Sequence, residues 1–391
     1  MNEDHMRRGV LLCLCYYLPN ISGLTLAARE QARFLSSKGY PVQVLTSRAP
    51  GQAACETQGE IQINRSYTPG RLGKAPIMPF LARDAWLATK DVSVVVIHLP
   101  HPNAAILTLI SRLRGRQVLL HYHCSLSRKG LAAQVLRVLT AVPHILAGWL
   151  AGKVQVVSED YARQSVFCRL FWHKLRFAPP PVPADFLEPV EAPATRHAPL
   201  RVGFVGRLAR QKNLPLLFLA FRQLCQRMTQ PVVLELVGPS DHVIGEAGVS
   251  SLLSMAEALG CDIRYRGVLP DQSLRHFYRE TDLLVLPSSD RQESFGLVQV
   301  EAMVQGVPVV ALDLPGIREP IRQTGMGLLV ATHSATALCQ AMLTVLTEGP
   351  PQRLPPEEIR RLFAAEVSCA PILQLLASDQ SPASADLRNS A

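Results

Sequence analysis

Apolar runs rich in β-branched residues alternate with helical patterns along this chain, and they do so in two series separated by a proline-rich stretch. Such runs must be covered on both faces, the condition of a strand in a parallel sheet with helices packed above and below. In the first series, runs at 9–16, 41–46, 92–98, 117–121 and 154–157 read as strands, with helices near 24–37, 103–114 and 130–151. Residues 177–199 then hold seven prolines, too many locked φ angles for a regular element. The pattern restarts with strands at 200–205, 232–237, 262–265, 283–286 and 307–311 and helices near 214–227, 250–259, 272–278, 297–305 and 335–346. The expected architecture is α/β, two Rossmann-like parallel-sheet domains facing a central cleft, because ligands of open α/β sheets collect outside the carboxyl ends of the strands. The boundaries are an N-terminal domain at 1–182, a Pro-rich linker at 183–199, a C-terminal domain at 200–365, and a C-terminal helix with a disordered tail at 366–391.

Composition supports two full-sized cores. The chain has 391 residues, 48% of them hydrophobic and 18% charged, which excludes a small disulfide or metal scaffold. The nine cysteines are odd in number and contain no C-x-x-C pair, so they read as apolar thiols in a reducing compartment. An acidic start, Met1 to His5, precedes Arg7 and Arg8, and the apolar run at 10–18 is too short for a signal segment with its cleavage site, so a cytoplasmic location is expected.

The net charge of +9 is unevenly shared: residues 1–199 carry 23 Lys/Arg against 12 Asp/Glu, while the remainder carries 17 against 19. Within 61–153 the excess is 12 basic against two acidic side chains, a bias that suits phosphates or an anionic membrane face, or serves as a solubilising surface. The stretch 131–151 approaches spanning length, but Arg137, Pro143 and His144 interrupt it, so a buried or membrane-apposed helix is expected.

Chemistry concentrates at three loci. The strand at 201–205 runs into Gly206-Arg207-Leu208-Ala209-Arg210-Gln211-Lys212-Asn213, a basic glycine turn at a helix start with Asn213 as N-cap, suited to a diphosphate. The second locus is Ser288 to Leu297, which leads from a strand into a helix and places Glu293 before that helix and Glu301 within it. Eight residues at ~1.5 Å rise separate these carboxylates by up to ~12 Å, longer than an acid/base pair for glycoside hydrolysis and similar to the reach from sugar to ribose in a nucleotide diphosphate sugar. The N–H groups of Phe295, Gly296 and Leu297 can meet phosphate oxygens. The third locus is His123, just after a strand of the first series.

These residues carry a resemblance. Gly206-Arg207…Lys212-Asn213 followed by Glu293-Ser-Phe-Gly-Leu-Val-Gln-Val-Glu301-Ala-Met resembles the retaining glycosyltransferases of family 4, whose fold is GT-B. The likeness extends to Tyr16-Tyr17-Leu18-Pro19, Ser22-Gly23, 39–44 and Pro315-Gly316, and the segments 98–103 and 121–125 look most like bacterial enzymes that transfer mannose or related hexoses onto lipid-linked or polysaccharide acceptors. The resemblance implies that Arg207 and Lys212 hold the donor diphosphate, that Glu293 bonds the hydroxyls of the transferred sugar, and that Glu301 bonds the ribose. It places Ser294, Phe295, Gly296 and Leu297 along phosphates and sugar, Arg266 and Val268 at the nucleobase, and His123 against the donor sugar, with His98, His101 and His121 structural or acceptor-side. Gly23 corresponds to the second glycine of a Gly-Gly pair whose first is replaced by Ser22. His123 has a reference pKa that permits either a neutral donor or a cation.

The implied reaction moves a hexose, mannose leaning, from a nucleotide diphosphate sugar with retention. No Asp-x-Asp pair occurs, so the implied charge on the leaving diphosphate falls to side chains and helix N-termini, with no metal and no cofactor beyond the nucleotide-sugar co-substrate. The alternatives are a sugar-nucleotide epimerase of the same fold and an inactive sugar-binding subunit. A UDP-hexose donor stays open beside GDP-mannose. No nucleic-acid partner is expected. The basic half points to peripheral association with the inner face of the cytoplasmic membrane through Arg112, Arg114, Arg116, Arg128 and Lys129, aided by the helix at 130–151.

Overall fold

The computed structural model describes residues 9–73, 75–124, 131–183, 186, 199–240, 249–290 and 293–378. The acidic N-terminus, Arg128 and Lys129, most of the connection at 183–199, and the tail beyond 378 lie outside the described residues. The chain divides into two compact units, Met1–Pro181 with Ala365–Ala391, and Val182–Ala364.

The first unit is built on eight strands: β1 (Gly9–Cys13), β2 (Val42–Ser47), β3 (Cys55–Gln58), β4 (Ile61–Ser66), β7 (Val92–Leu99), β8 (Gln117–Tyr122), β9 (Lys153–Val156) and β10 (Leu175–Phe177), with β5 (Gly70–Leu72) and β6 (Ala75–Ile77) forming a separate hairpin. Their order is β10-β9-β8-β7-β1-β2-β4-β3, parallel except for β3. Every residue of β7, Val-Ser-Val-Val-Val-Ile-His-Leu, is buried, as a central strand covered on both faces requires. The helices are α1 (Gly23–Ser37), α2 (Leu81–Ala88), α3 (Ala104–Leu113), α4 (Leu131–Leu150), α5 (Glu159–Gln164) and α6 (Val166–Leu170).

The second unit has six parallel strands, β11 (Leu200–Val205), β12 (Val232–Val237), β13 (Ile263–Gly267), β14 (Leu283–Leu286), β15 (Val309–Leu312) and β16 (Gly327–Val330), ordered β13-β12-β11-β14-β15-β16. Its helices are α7 (Leu214–Arg227), α8 (Val249–Ala258), α9 (Asp271–Glu280), α10 (Leu297–Val304), α11 (Glu319–Thr324), α12 (Ala335–Glu348) and α13 (Pro356–Leu362). Leu217, Phe218, Phe221 and Leu224 of α7 share its core with Leu338 and Met342 of α12. The last helix, α14 (Ala365–Ser378), returns to the first unit, where Cys369, Ile372 and Leu376 pack with Val10, Leu12 and Leu35. Pro356–Ser378 is apolar and long enough to cross a membrane by length and composition, yet it spans two helices and those three residues sit in protein core.

The structure adds elements to the sequence reading: β10, β16, α2, α5, α6, α11 and α13 lie where none was expected. Strands β3 to β6 were not expected either: in β4 Ile61 and Ile63 alternate with polar residues, edge strand β3 has no buried position, and β5 and β6 are three-residue strands of a separate hairpin, so none carries a continuous apolar run. Asn213 occupies the N-cap position of α7, but it adopts φ 51° and makes no side-chain cap; a 3₁₀ turn, Arg210–Lys212, precedes it instead.

Candidate active site

In the second unit, β11 and β14 are neighbours, so the loops leaving their carboxyl ends meet. The Ser289 N–H donates to the Gln211 carbonyl across them at 3.3 Å. Gly206 begins the first loop at φ 150°, and a Cβ there would stand 3.3 Å from Cε of Lys212, so glycine both permits the turn and leaves room for the lysine stem. Lys212 is thereby buried and forms an ion pair with Glu293 of the second loop. Arg207, half-buried on the same turn, has no carboxylate partner among the described residues.

The turn into α10 is set by Gly296 and Gln299. Gly296 has φ 74°, and a Cβ there would press to 2.6 Å on both the Gln299 amide and Leu286. The buried Gln299 side chain donates to the carbonyls of Phe295 at 3.0 Å and Ile317 at 2.9 Å. Phe295 packs edge-on against Phe363. With these carbonyls engaged and the ring anchored, Ser294 and Leu297 are left half-buried at the helix start. Gln299 escaped sequence reading, since a glutamine in an apolar helix carries no spacing signal.

Glu301 is buried, 5% exposed, and accepts a hydrogen bond from the Tyr278 hydroxyl at 2.8 Å. Burial and the adjacent carboxylate push the Tyr278 hydroxyl well above its ordinary pKa, so it stays a donor. Tyr278 lies in the last turn of the amphipathic helix α9, and nothing in its spacing marks it as a partner of Glu301. Arg266 lies in β13 and Val268 just after it, at the carboxyl end of the edge strand, which β12 separates from β11. There the Arg266 guanidinium donates to buried Glu235 at 2.6 and 3.0 Å, beside a surface cavity lined by Gln272, His276 and Phe277, while Val268 is exposed.

In the first unit, Gly23 is the first residue of α1, and a Cβ on it would meet nothing within 4 Å. Ser22 has a job of its own as N-cap: its hydroxyl accepts from the Thr25 N–H at 3.2 Å and the Thr25 hydroxyl accepts from the Ser22 N–H at 2.8 Å.

His123 belongs to a cluster. His98 on β7 is in register with His121 on β8, and His123 follows two positions later, which puts all three imidazoles on one face at the carboxyl ends of adjacent strands. His98 Nδ1 and His123 Nε2 lie 2.9 Å apart, and the His121 and His123 rings stack at 4.0 Å. One nitrogen from each ring falls within 4.8 Å of the others, a spacing at which three imidazoles can hold a metal ion. Burial pushes the His123 pKa from 6.5 down to about 3 and holds His98 and His121 well below their ordinary value, so the rings are neutral. Of the two forms open to His123 on sequence grounds, the neutral one is present. His101 and His144 form a second buried pair through the His101 backbone at 3.1 Å, with pKa values pushed to about 3 and about 4.

Residues 21–186 match the family model described as Glycosyltransferase Family 4, and residues 190–361 the model described as Glycosyl transferases group 1. The chain belongs to the family 4 type of glycosyltransferases. It is similar to the D-inositol 3-phosphate glycosyltransferase of Corynebacterium urealyticum, 33% identical over 43% of this chain and 39% of that protein. The enzyme of the same name from Rhodococcus opacus is 35% identical over 39% of this chain and 34% of its own length. The match therefore spans about two fifths of the length of these relatives or less. Among solved structures, a sucrose-phosphate synthase from Thermosynechococcus elongatus has TM-score 0.73 at 21% identity, covering 95% of this chain and 99% of that one. Anabaena HepE, solved with UDP and glucose, has TM-score 0.74 at 18% identity, covering 95% and 100%. The glycosyltransferase has the GT-B fold, two parallel-sheet Rossmann-like domains.

Proposed function

We propose that this glycosyltransferase moves a hexose from a nucleotide diphosphate sugar to a hydroxyl of a lipid-linked saccharide or polysaccharide precursor, with retention and without a metal. The observation that carries the reading is the meeting of Lys212 with Glu293 from two loops at the carboxyl ends of neighbouring strands, with Arg207 beside them. An ammonium has three donors, so Lys212 can keep Glu293 in place while offering protons to a diphosphate, and Glu293 is thereby aimed at sugar hydroxyls. Arg207, Lys212 and the N–H groups at the start of α10 stabilise the charge that grows on the departing diphosphate. Glu301, held by Tyr278, serves the ribose, and Arg266 and Val268 with Ser294, Phe295, Gly296 and Leu297 complete the donor contacts. The N–H of Gly23, at an open helix start, approaches the phosphates. His123 offers a neutral N–H to a hydroxyl of the transferred sugar. The acceptor hydroxyl attacks from the face the diphosphate leaves.

GDP-mannose is the first donor to try. UDP-glucose is the second, because solved neighbours contain UDP and UDP-glucose. Differential scanning with each decides the base: a ligand at 100 times its Kd stabilises by about 2.7 kcal/mol, and no shift with either removes the donor reading. The relatives named for D-inositol 3-phosphate make a phosphorylated polyol the competing acceptor, to be run against lipid-linked saccharide in the same transfer assay.

The acceptor reading includes the inner face of the cytoplasmic membrane. Helices α3 and α4 pack together and leave Ile106, Leu109, Leu113, Leu146, Trp149 and Leu150 exposed beside exposed Arg112. The other described cations are partly engaged: Arg114 lies over Trp86 at 4.7 Å, and the Arg116 guanidinium donates to the carbonyls of Thr89 and Lys90 at 2.9 and 2.8 Å. Insertion of apolar side chains thus takes a larger share of the attraction than charge alone. Sedimentation with anionic and neutral vesicles at low and high salt measures the two shares, and no binding to either lipid ends the membrane reading.

A further inference from the structure

The first unit contains a proton placement that bears on His123. Its Nε2 and the Nδ1 of His98 face each other at 2.9 Å, so one of the two nitrogens carries the hydrogen. The rest of the pocket decides which. His98 Nε2 is buried with no hydrogen-bond partner. Were His123 the donor, His98 would carry its proton on that partnerless Nε2, leaving a buried N–H unpaired. Were His98 the donor, the same atom would be a bare lone pair. An unpaired buried donor is the more costly and the rarer of the two.

We propose that His98 is the positioning residue of His123: its Nδ1–H donates to His123 Nε2, fixes His123 as the Nδ1–H tautomer, and so turns the ring's single donor toward the hydroxyl it is to bind. The proposal rests on the reading of His123 as a sugar contact for its consequence in catalysis, though not for the tautomer itself. Its parts are strand-built. His98 is 1% exposed and His121 is fully buried, both on fully paired central strands, whereas His123 at 9% lies nearest the surface. His121 holds the ring plane by stacking at 4.0 Å, and is itself engaged at Nδ1 by the Gln31 amide of α1 at 3.3 Å. The His123 N–H of the backbone donates to Leu99 at 3.1 Å, which fixes the residue's distance from β7. The arrangement follows the logic by which a second group sets the tautomer of a working histidine.

The test uses the full chain with ¹⁵N-labelled histidine, and the ring resonances of His123 are assigned by their loss in His123→Ala. The wild type is expected to show His123 protonated at Nδ1. In His98→Asn the side-chain amide nitrogen falls where Nδ1 was and keeps one donor, so the tautomer and transfer activity are retained. In His98→Leu the donor is gone, the two tautomers of His123 mix, and kcat/KM falls about tenfold, the worth of one hydrogen bond. Melting temperatures are recorded alongside, and should His98→Leu not fold, the wild-type spectrum and the Asn variant still decide. A wild-type His123 protonated at Nε2, or a tautomer unaltered in His98→Leu, overturns the proposal. So does a cobalt(II) ligand-field spectrum on adding that metal to the protein, since three imidazoles on one ion would all present lone pairs. If His123→Ala transfers sugar as the wild type does, the sugar contact fails while the tautomer measurement still stands or falls by itself.

Discussion

Lys212 and Glu293 reach each other from two loops, whereas His98, His121 and His123 reach each other from two strands. In both units the groups gather at the carboxyl ends of central parallel strands, but the second unit assembles opposite charges and the first assembles neutral rings. The difference follows from what surrounds them. A loop leaves Arg207 half-buried and Glu293 in partial contact with water, so formal charge is tolerated there, and the cations Arg207 and Lys212 are available to an anionic ligand. Strands buried on both faces admit imidazole only without its proton. A charged group binds and steadies a diphosphate; a neutral donor orients a hydroxyl.

The largest effect expected tests the charged half. Lys212→Ala and Arg207→Ala are each expected to lower turnover by about 10²- to 10³-fold, the range for removing one preorganised group from developing charge. Lys212→Ala additionally leaves Glu293 without its partner at a cost of about 1–2 kcal/mol, which Lys212→Ala/Glu293→Ala recovers in part. Turnover near wild type in either folded single variant ends the diphosphate assignment. Glu293→Ala is expected to impair transfer far more than affinity for the bare nucleotide diphosphate; equal losses would contradict the division between sugar and phosphate.

The neutral half is broken by acid. His98, His101, His121, His123 and His144 all belong to the first unit, and all have folded pKa values below the unfolded reference of 6.5. Between the two values the unfolded chain binds more protons, so their stabilisation is complete above pH 6.5 and is lost as pH falls from there toward about 3 to 4. Each histidine contributes a slope of up to about 1.4 kcal/mol per pH unit in that window. The three tryptophans, Trp86, Trp149 and Trp172, all lie in the first unit, so their emission reports this unit alone. Denaturant midpoints from tryptophan emission are expected to drop steeply between pH 7 and 5. A flat profile over that range would show that the rings are not buried neutral bases.

How much of this was legible in the residues differs between the halves for the same physical reason. Charges on loops leave contiguous marks: Gly206 through Asn213 and Glu293 through Glu301 are each a single stretch, and the structure brings Lys212 and Glu293 into contact. Strand and helix order was readable wherever burial on both faces forces continuous apolar runs, as in β7 and β12. Where one face meets solvent, as at β3 to β6, it was not. The pairing of His98 with His123 depends on the register of β7 against β8, which no local pattern encodes. Tyr278 and Gln299 were invisible because each acts through a partner distant in sequence or through a backbone carbonyl.

Tyr278→Phe sharpens the comparison by removing a hydroxyl while leaving the ring. Glu301 then loses a buried hydrogen bond, and a destabilisation of about 1–3 kcal/mol is expected in thermal unfolding, with nucleotide affinity reduced a few-fold if Glu301 holds the ribose. Unaltered affinity alongside the expected destabilisation would leave Glu301 a structural carboxylate.

The smallest effect concerns Ser22, where the first unit departs from a glycine pair. Its hydroxyl and that of Thr25 close a reciprocal cap at the start of α1, a 15-residue helix whose first turn holds no acidic side chain to meet its dipole. Ser22→Ala is expected to cost about 1 kcal/mol and Ser22→Gly only a few tenths, since glycine leaves the helix start open to water. If the cap is what serine supplies, Ser22→Gly restores the glycine pair and leaves kcat within about twofold, a change too small to exceed a single weak contact. Gly23→Ala is the counterpart. With nothing within 4 Å of the added methyl, stability is expected to hold or rise slightly, and a drop in turnover alone would mark the backbone there as meeting the donor. Equal loss of stability and turnover in Gly23→Ala would instead place that glycine in the service of the helix, and the neutral unit would have no phosphate contact of its own.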